Sequence, residues 1–200
     1  MITKLGELEH VLLLQDSLVY MKYMKDDSVD VILTDVPYNF DEHTKEIVHD
    51  EFMRIARDTV IVFSPLENPW ILPASQYLFW IKPISTKNTS RHYSRFVEIM
   101  FIYHKHTNPI TWNTNRHWSQ YTNVFTDLVD TTSNHPFRKP PSLIERIILN
   151  HTNEGDLVFD PFCGSGVVGE VCAKLGRKFL GIEKDIERYE DACIAVKKWC

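Results

Sequence analysis

The stretch VDVILTDVPYNFDE, residues 29–42, brings an apolar run up to Asp35-Val36-Pro37-Tyr38. Val31, Ile32 and Leu33 predict a short buried strand, and Pro37 cannot continue a central one because it has no N–H for the ladder. Asp35 is therefore expected at the strand's carboxyl end, where open α/β sheets bind ligands. Pro37 also keeps Val36 extended, which aims the Val36 carbonyl. A carboxylate, an aimed carbonyl and an aromatic ring at a strand end can hold a ligand. An Asp-Pro turn with a surface tyrosine is the plainer alternative.

A second stretch, LVFDPFCGSGVVGE (157–170), reads as a strand, a glycine turn and a helix start. Gly164-Ser165-Gly166-Val167-Val168-Gly169 satisfies G-x-G-x-x-G, and Glu183 ends the next strand, where an acidic residue takes ribose hydroxyls. A dinucleotide oxidoreductase is thus a rival reading. Position counts against it, because too little chain follows Gly166 for a second mononucleotide half. The turn better suits a nucleoside with a small charged tail. Asp160 supplies an anion for a cation, Gly164 and Gly166 allow close backbone approach, and the amides opening the helix can hold a carboxylate. A sulfonium, an amino acid and an adenosine would use all three. A turn that only packs helix on strand is the alternative.

The elements that must position these residues alternate. Strands are predicted at 10–15, 29–35, 58–64, 76–82, 95–105, 156–160 and 177–183. Helical spacing appears at 17–24, 49–58, 142–152, 166–176 and 186–199. Alternation of this kind predicts a mostly parallel α/β sheet with helices on both faces. The strand ahead of the glycine turn, usually first in a nucleoside-binding sheet, stands near the end, so the order is that of a sheet cut open and rejoined. The span from about 83 to 135 is otherwise irregular, rich in Ser, Thr, Asn and His, and long enough to be functional.

Two hundred residues, 44% apolar and 24% charged, suit one globular domain. No apolar run approaches the roughly 20 residues that span a bilayer, and no signal pattern opens the chain, so a cytoplasmic protein without membrane contact is expected. Cys163, Cys172, Cys193 and Cys200 form no C-x-x-C pair, which predicts neither a metal cluster nor a disulfide framework. The net charge of −5 is unevenly spread. Residues 82–140 hold eight basic against three acidic side chains, while 1–81 hold six against fourteen. A basic, aromatic-rich segment in an acidic chain suggests a local phosphate-and-base surface.

Taken in order, these residues resemble the β-type, permuted branch of the S-adenosylmethionine-dependent amino-methyltransferases of DNA. Asp35-Val36-Pro37-Tyr38 is similar to that family's D-P-P-Y motif, with Val36 in place of the first proline. FDPFCGSG (159–166) closely matches its cofactor loop, and HPFRKPPSLIERII (135–148) its H-P-x-x-K-P segment. LLLQDSLVYM, EFMRIARDTVIVF, FVEIMFIYHK and GIEKDIERY fall in the expected places. The resemblance covers nearly the whole chain. It implies a circularly permuted Rossmann-like fold with a seven-stranded sheet, one domain over 1–200, and a short target-recognition insert at about 83–135.

It also implies a chemistry. An exocyclic base amine is a poor nucleophile, because its lone pair is delocalised into the ring. Asp35 and the Val36 carbonyl would each accept one N–H and aim the lone pair at the methyl group. Tyr38 would stack on a base flipped from double-stranded DNA. Asp16 would accept from the cofactor's adenine amine, with a helix N-cap as its alternative role. Glu183 would bind the ribose. Asp160, Phe162, Cys163, Gly164, Ser165 and Gly166 would line the methionine end, with Lys139 near the methionine carboxylate. Lys87, Arg91, Arg95 and Arg116 are the expected DNA contacts, and His135 is read as structural. An aspartate at the first motif position favours adenine N6. Cytosine N4, or a silent cofactor- and DNA-binding subunit, are the alternatives. A restriction-modification setting fits, and a homodimer is left open.

Overall fold

A computed structural model describes residues 2–5, 10–71, 73–82, 96–128 and 138–200. Its strands are β1 (Ile2–Leu5), β2 (His10–Leu14), β3 (Val29–Asp35), β4 (Ala56–Ser64), β5 (Gln76–Ile81), β6 (Val97–His104), β7 (Val124–Phe125), β8 (Leu157–Asp160) and β9 (Lys178–Glu183). The helices are α1 (Ser17–Met21), α2 (Glu42–Ile55), α3 (Pro141–His151), α4 (Val167–Lys174) and α5 (Ile186–Lys197). All strands join one sheet in the order β1-β2-β9-β8-β3-β4-β6-β5-β7. From β2 across to β4 every pairing is parallel, while β6 runs antiparallel to both β4 and β5.

The seven expected strands are all present, and the described residues add two. β1 pairs antiparallel along β2, and the two-residue β7 pairs parallel with β5 at Phe79↔Val124. β6 lies inside the span expected to be a recognition insert, yet it is a sheet strand between β4 and β5. Helix α2 starts seven residues before the expected 49, because the stripe that faces the sheet begins with a lysine. Lys45, Val48, Phe52 and Ile55 are all buried, and the Lys45 ammonium is satisfied by Glu42 Oε1 at 2.7 Å, the Pro69 carbonyl at 2.9 Å and Asn68 Oδ1. Asp41 caps that start by accepting from the Thr44 N–H at 2.7 Å.

Strand side chains alternate between two cores. Leu33, Ile61, Phe63 and Met100 pack under α3, α4 and α5, while Ile32, Val60, Val62 and Phe101 pack under α1 and α2. Each fully buried Leu, Ile or Phe contributes about 1.5–3 kcal/mol, so the two layers hold the strand ends rigidly. Connections from β8 lead through α4 to β9, and those from β3 lead through α2 to β4, in opposite directions across the sheet. The β8/β3 boundary is therefore the topological switch point, and a cleft opens beyond the carboxyl ends of those two strands.

Candidate active site

The cleft has a volume of about 540 Å³. Thr34 to Tyr38 line one wall, Asp160 and Phe162 to Ser165 the other, and Glu183, Lys184 and Arg188 one end. Adjacent strands deliver the two aspartates. Asp160 ends β8 and Asp35 ends β3. The Thr34 hydroxyl donates to Asp160 Oδ1 at 2.7 Å, tying the two strand ends together, and the Phe162 N–H donates to the same oxygen at 3.1 Å. Burial dominates at Asp160 and, helped by the charges of Asp35 and Glu183, pushes its pKa up to about 7.

The glycine turn is built as its residues require. Gly164 and Gly166 have φ of 50° and 77°, in the left-handed region. Gly166 is the N-cap of α4 without a side-chain cap, so the first amides of that helix are left for an anion. A Cβ there would lie 2.7 Å from the Ala192 Cα, so the glycine also lets α5 pack against the turn. The Cys163 N–H donates to the Ile182 carbonyl at 3.0 Å, pinning the loop to β9. Its thiol is buried and raised well above the ordinary value by desolvation, which fits a small loop residue and not a nucleophile. Glu183 accepts from the N–H groups of Gly164, Lys184 and Asp185 at 2.9–3.0 Å, so its carboxylate organises the turn while facing the cleft.

On the opposite wall, Lys139 Nζ lies 2.6 Å from Asp35 Oδ2 and 3.0 Å from Glu98 Oε2, over the ring of Phe63. The family resemblance puts Lys139 at the methionine carboxylate, but the fold commits it to these two carboxylates. Arg138 stands nearer the glycine turn, donating to the Ser165 carbonyl at 3.2 Å and pairing with Glu170. Asp35 Oδ1 is buried and has no hydrogen-bond partner. Burial raises the pKa of Asp35 against the opposing charge of Lys139. Tyr38 is half exposed, and its phenol is raised by burial of the hydroxyl end and by the charge of Asp35. The Val36 side chain is buried in the α1/α2 core, so it anchors the turn. Asn68 holds the same turn, donating to the Tyr38 and Phe40 carbonyls at 3.0 and 3.3 Å.

Other expected residues are not brought to the cleft. Asp16 is exposed and caps α1, accepting from Leu18 N at 2.8 Å and Val19 N at 3.4 Å. Arg116 donates to Asn150 Oδ1 at 3.0 Å and Gln120 Oε1 at 3.1 Å, beside the far end of α3 from the cleft. Lys87, Arg91, Arg95 and His135 lie outside the described residues. Among the described residues of the middle segment, Lys82, Lys105, Arg138 and Lys139 pair with Glu98, Asp27, Glu170 and Asp35. Glu98, Lys82 and Arg138 are site residues that sequence reasoning misses. A lone glutamate inside the apolar strand FVEIMFIY is the available signal for the first.

A family model described as DNA methylase, of the N6/N4 methyltransferase type, matches residues 73–196, well over half of the chain. The chain belongs to this family. The DNA adenine methyltransferase YhdJ of Escherichia coli (strain K12) is 52% identical to this chain over 60 residues, 30% of its length. Type II methyltransferase M2.DpnII of Streptococcus pneumoniae is 55% identical over 53 residues, 26% of this chain. Both alignments span only 20% of the relative's length. The crystal structure of the M1.HpyAVI–SAM complex superposes with a TM-score of 0.74 at 25% identity, covering 92% of this chain and 98% of that one. The cytosine-N4-specific PvuII DNA methyltransferase shares the fold, with a TM-score of 0.73 at 16% identity over 92% of this chain and 85% of that one. The permuted methyltransferase fold expected from the motifs is thus the fold of this chain.

Proposed function

We propose that this chain methylates the exocyclic N6 amine of adenine in DNA, with S-adenosylmethionine as donor. The observation that carries the reading is the Asp35 carboxylate, 34% exposed at the end of β3, in the cleft that the glycine turn also lines. An amine N–H donating to that carboxylate makes a charge-assisted bond worth about 1.5–3 kcal/mol. The Val36 carbonyl, at the turn held by Asn68, takes the second N–H. Tyr38 offers its half-exposed ring to a flipped base. Across the cleft, the open amides of α4 receive a carboxylate, Glu183 receives ribose hydroxyls, and Asp160 offers its charge to a cation. S-adenosylmethionine supplies an electrophilic methyl group when bound in that half.

Adenine is preferred because Asp35 opens the motif and because one of the relatives is named an adenine enzyme. Recognition of the target falls to the span at about 83–135, within a single domain over 1–200. The test is methylation of duplex DNA by the purified protein, followed by nucleoside mass spectrometry and single-molecule sequencing. N6-methyladenine at a defined sequence is expected. N4-methylcytosine would overturn the choice of base, and cofactor binding without any methylated product would make the chain a silent subunit.

A further inference from the structure

Four charged side chains run in alternating sign from the edge half of the sheet to the cleft. Lys82 follows β5, and its Nζ lies 2.9 Å from Glu98 Oε1 on β6. The other oxygen of Glu98 lies 3.0 Å from Lys139 Nζ, which in turn lies 2.6 Å from Asp35 Oδ2. The side chains of Lys82, Glu98 and Lys139 are 7%, 16% and 5% exposed, so the pairs among them are little screened, while Asp35, at the cleft, is 34% exposed. Such a chain is costly to bury and weak as a source of stability, which calls for another reason for it.

We propose that Glu98 is a positioning residue that acts on Asp35 through Lys139 and is itself held by Lys82. The proposal rests on the role given to Asp35 above. An ammonium shared by two carboxylates drains less electron density from either than one bound to Asp35 alone. Glu98 thereby leaves Asp35 a strong acceptor, while the Lys139 contact fixes the orientation of its carboxylate through Oδ2. The groups facing Asp35 are Lys139 from the segment before α3, Glu98 from β6, Tyr38 from its own turn and Asp160 from β8. Among them burial and Glu98 raise the proton affinity of Asp35, and Lys139 and the Tyr38 hydroxyl lower it. Glu98 itself is held below its ordinary value, because Lys139 and Lys82 outweigh its burial.

The chain predicts alternating signs. Glu98→Gln gives Lys139 wholly to Asp35 and lowers the Asp35 titration midpoint by on the order of one pH unit. Lys139→Met raises it. Lys82→Met also raises it, by releasing Glu98 to draw Lys139 away. The midpoint is read by NMR of side-chain carboxyl carbons in aspartate-labelled protein without substrate, with Asp35→Asn to assign the signal. The acid limb of single-turnover methylation, where protonation of Asp35 removes the acceptor, should shift in the same order. A midpoint unmoved by Glu98→Gln, or three variants shifting in one direction, overturns the proposal, as does a midpoint that moves while the acid limb stays. If Glu98→Gln does not fold, the Lys82→Met and Lys139→Met pair decides the coupling alone. A protein that methylates no DNA defeats the functional assignment, while the titration still decides the coupling.

Discussion

Lowering the pH from 8 to 6 should weaken S-adenosylmethionine binding about tenfold, through Asp160. In the free protein its pKa is raised by burial to about 7, from an ordinary value of 3.8. The folded state therefore holds a proton there that the unfolded state does not. The stability this contributes is full below about pH 4 and is lost as pH rises through 7. A sulfonium placed against the carboxylate reverses the balance, because the ion then has its counter-charge. Binding must release the proton wherever it is present. At pH 6, one unit below the pKa, about nine-tenths of Asp160 is protonated, which is the source of the tenfold loss; at pH 8 the penalty has almost vanished. Isothermal titration between pH 6 and 8 in buffers of different ionisation enthalpy measures both affinity and proton release. S-adenosylhomocysteine, whose sulfur is a neutral thioether, should show little of either effect. Asp160→Asn should flatten the profile and weaken binding on the alkaline side. The same slope for both ligands, or no slope for S-adenosylmethionine, would refute the placement of Asp160 against a cation.

Asp35→Ala should lower single-turnover methylation by about 10²–10³ while leaving cofactor affinity and the melting temperature near wild type, since it removes one preorganised acceptor at the cleft wall; near-normal turnover would return the motif to a plain turn. Gly164→Ala should cost about 1–2 kcal/mol for its left-handed backbone alone, because nothing lies within 4 Å of the new Cβ. Gly166→Ala adds overlap with Ala192 and should cost about 1–3 kcal/mol more, a difference that thermal melts of the pair would resolve. Asn68→Ala frees the Tyr38 and Phe40 carbonyls and should slow methylation more than it weakens cofactor binding, as read by the two assays side by side. Charge reversal at Lys87, Arg91 and Arg95 should reduce the salt slope of DNA binding by about 0.9 for each phosphate no longer neutralised, whereas Arg116→Ala should leave the slope alone and lower the melting temperature.

Much of this is legible in the residues, for reasons that differ from element to element. The central strands announce themselves because both faces are covered, so Val31-Ile32-Leu33 and Val60-Ile61-Val62-Phe63 read as unbroken apolar runs. The glycine turn is readable because left-handed backbone leaves so few residue types. β7 is not, since two residues at an edge carry no periodicity, and α2 begins out of register with its pattern because a buried lysine occupies an apolar position. Asp35 can be assigned to a strand end, but its partner cannot be named. Lys139 is 104 residues away, and only the folded sheet shows that it turns to Asp35 and Glu98 instead of to the cofactor half. Segment charge is less legible for a similar reason, because a count cannot distinguish a cation paired with Glu98 or Glu170 from one left facing solvent.

The strand order has a consequence for how the chain is made. β2 and β3 are near neighbours in the chain, yet β9 and β8 are inserted between them in the sheet. While the polypeptide emerges from the ribosome, β2 and β3 cannot take their final places in one sheet, because the two strands between them have not been synthesised. The inner edges of β2 and β3 stay unpaired until residues 157–183 have emerged and are open to mispairing with other nascent chains. The strand bearing Asp35 can pair with β4 early, but the strand bearing Asp160 reaches its side more than 120 residues later. Docking of β8 and β9 is then a long-range step, and it completes the central sheet and the cleft in the same event.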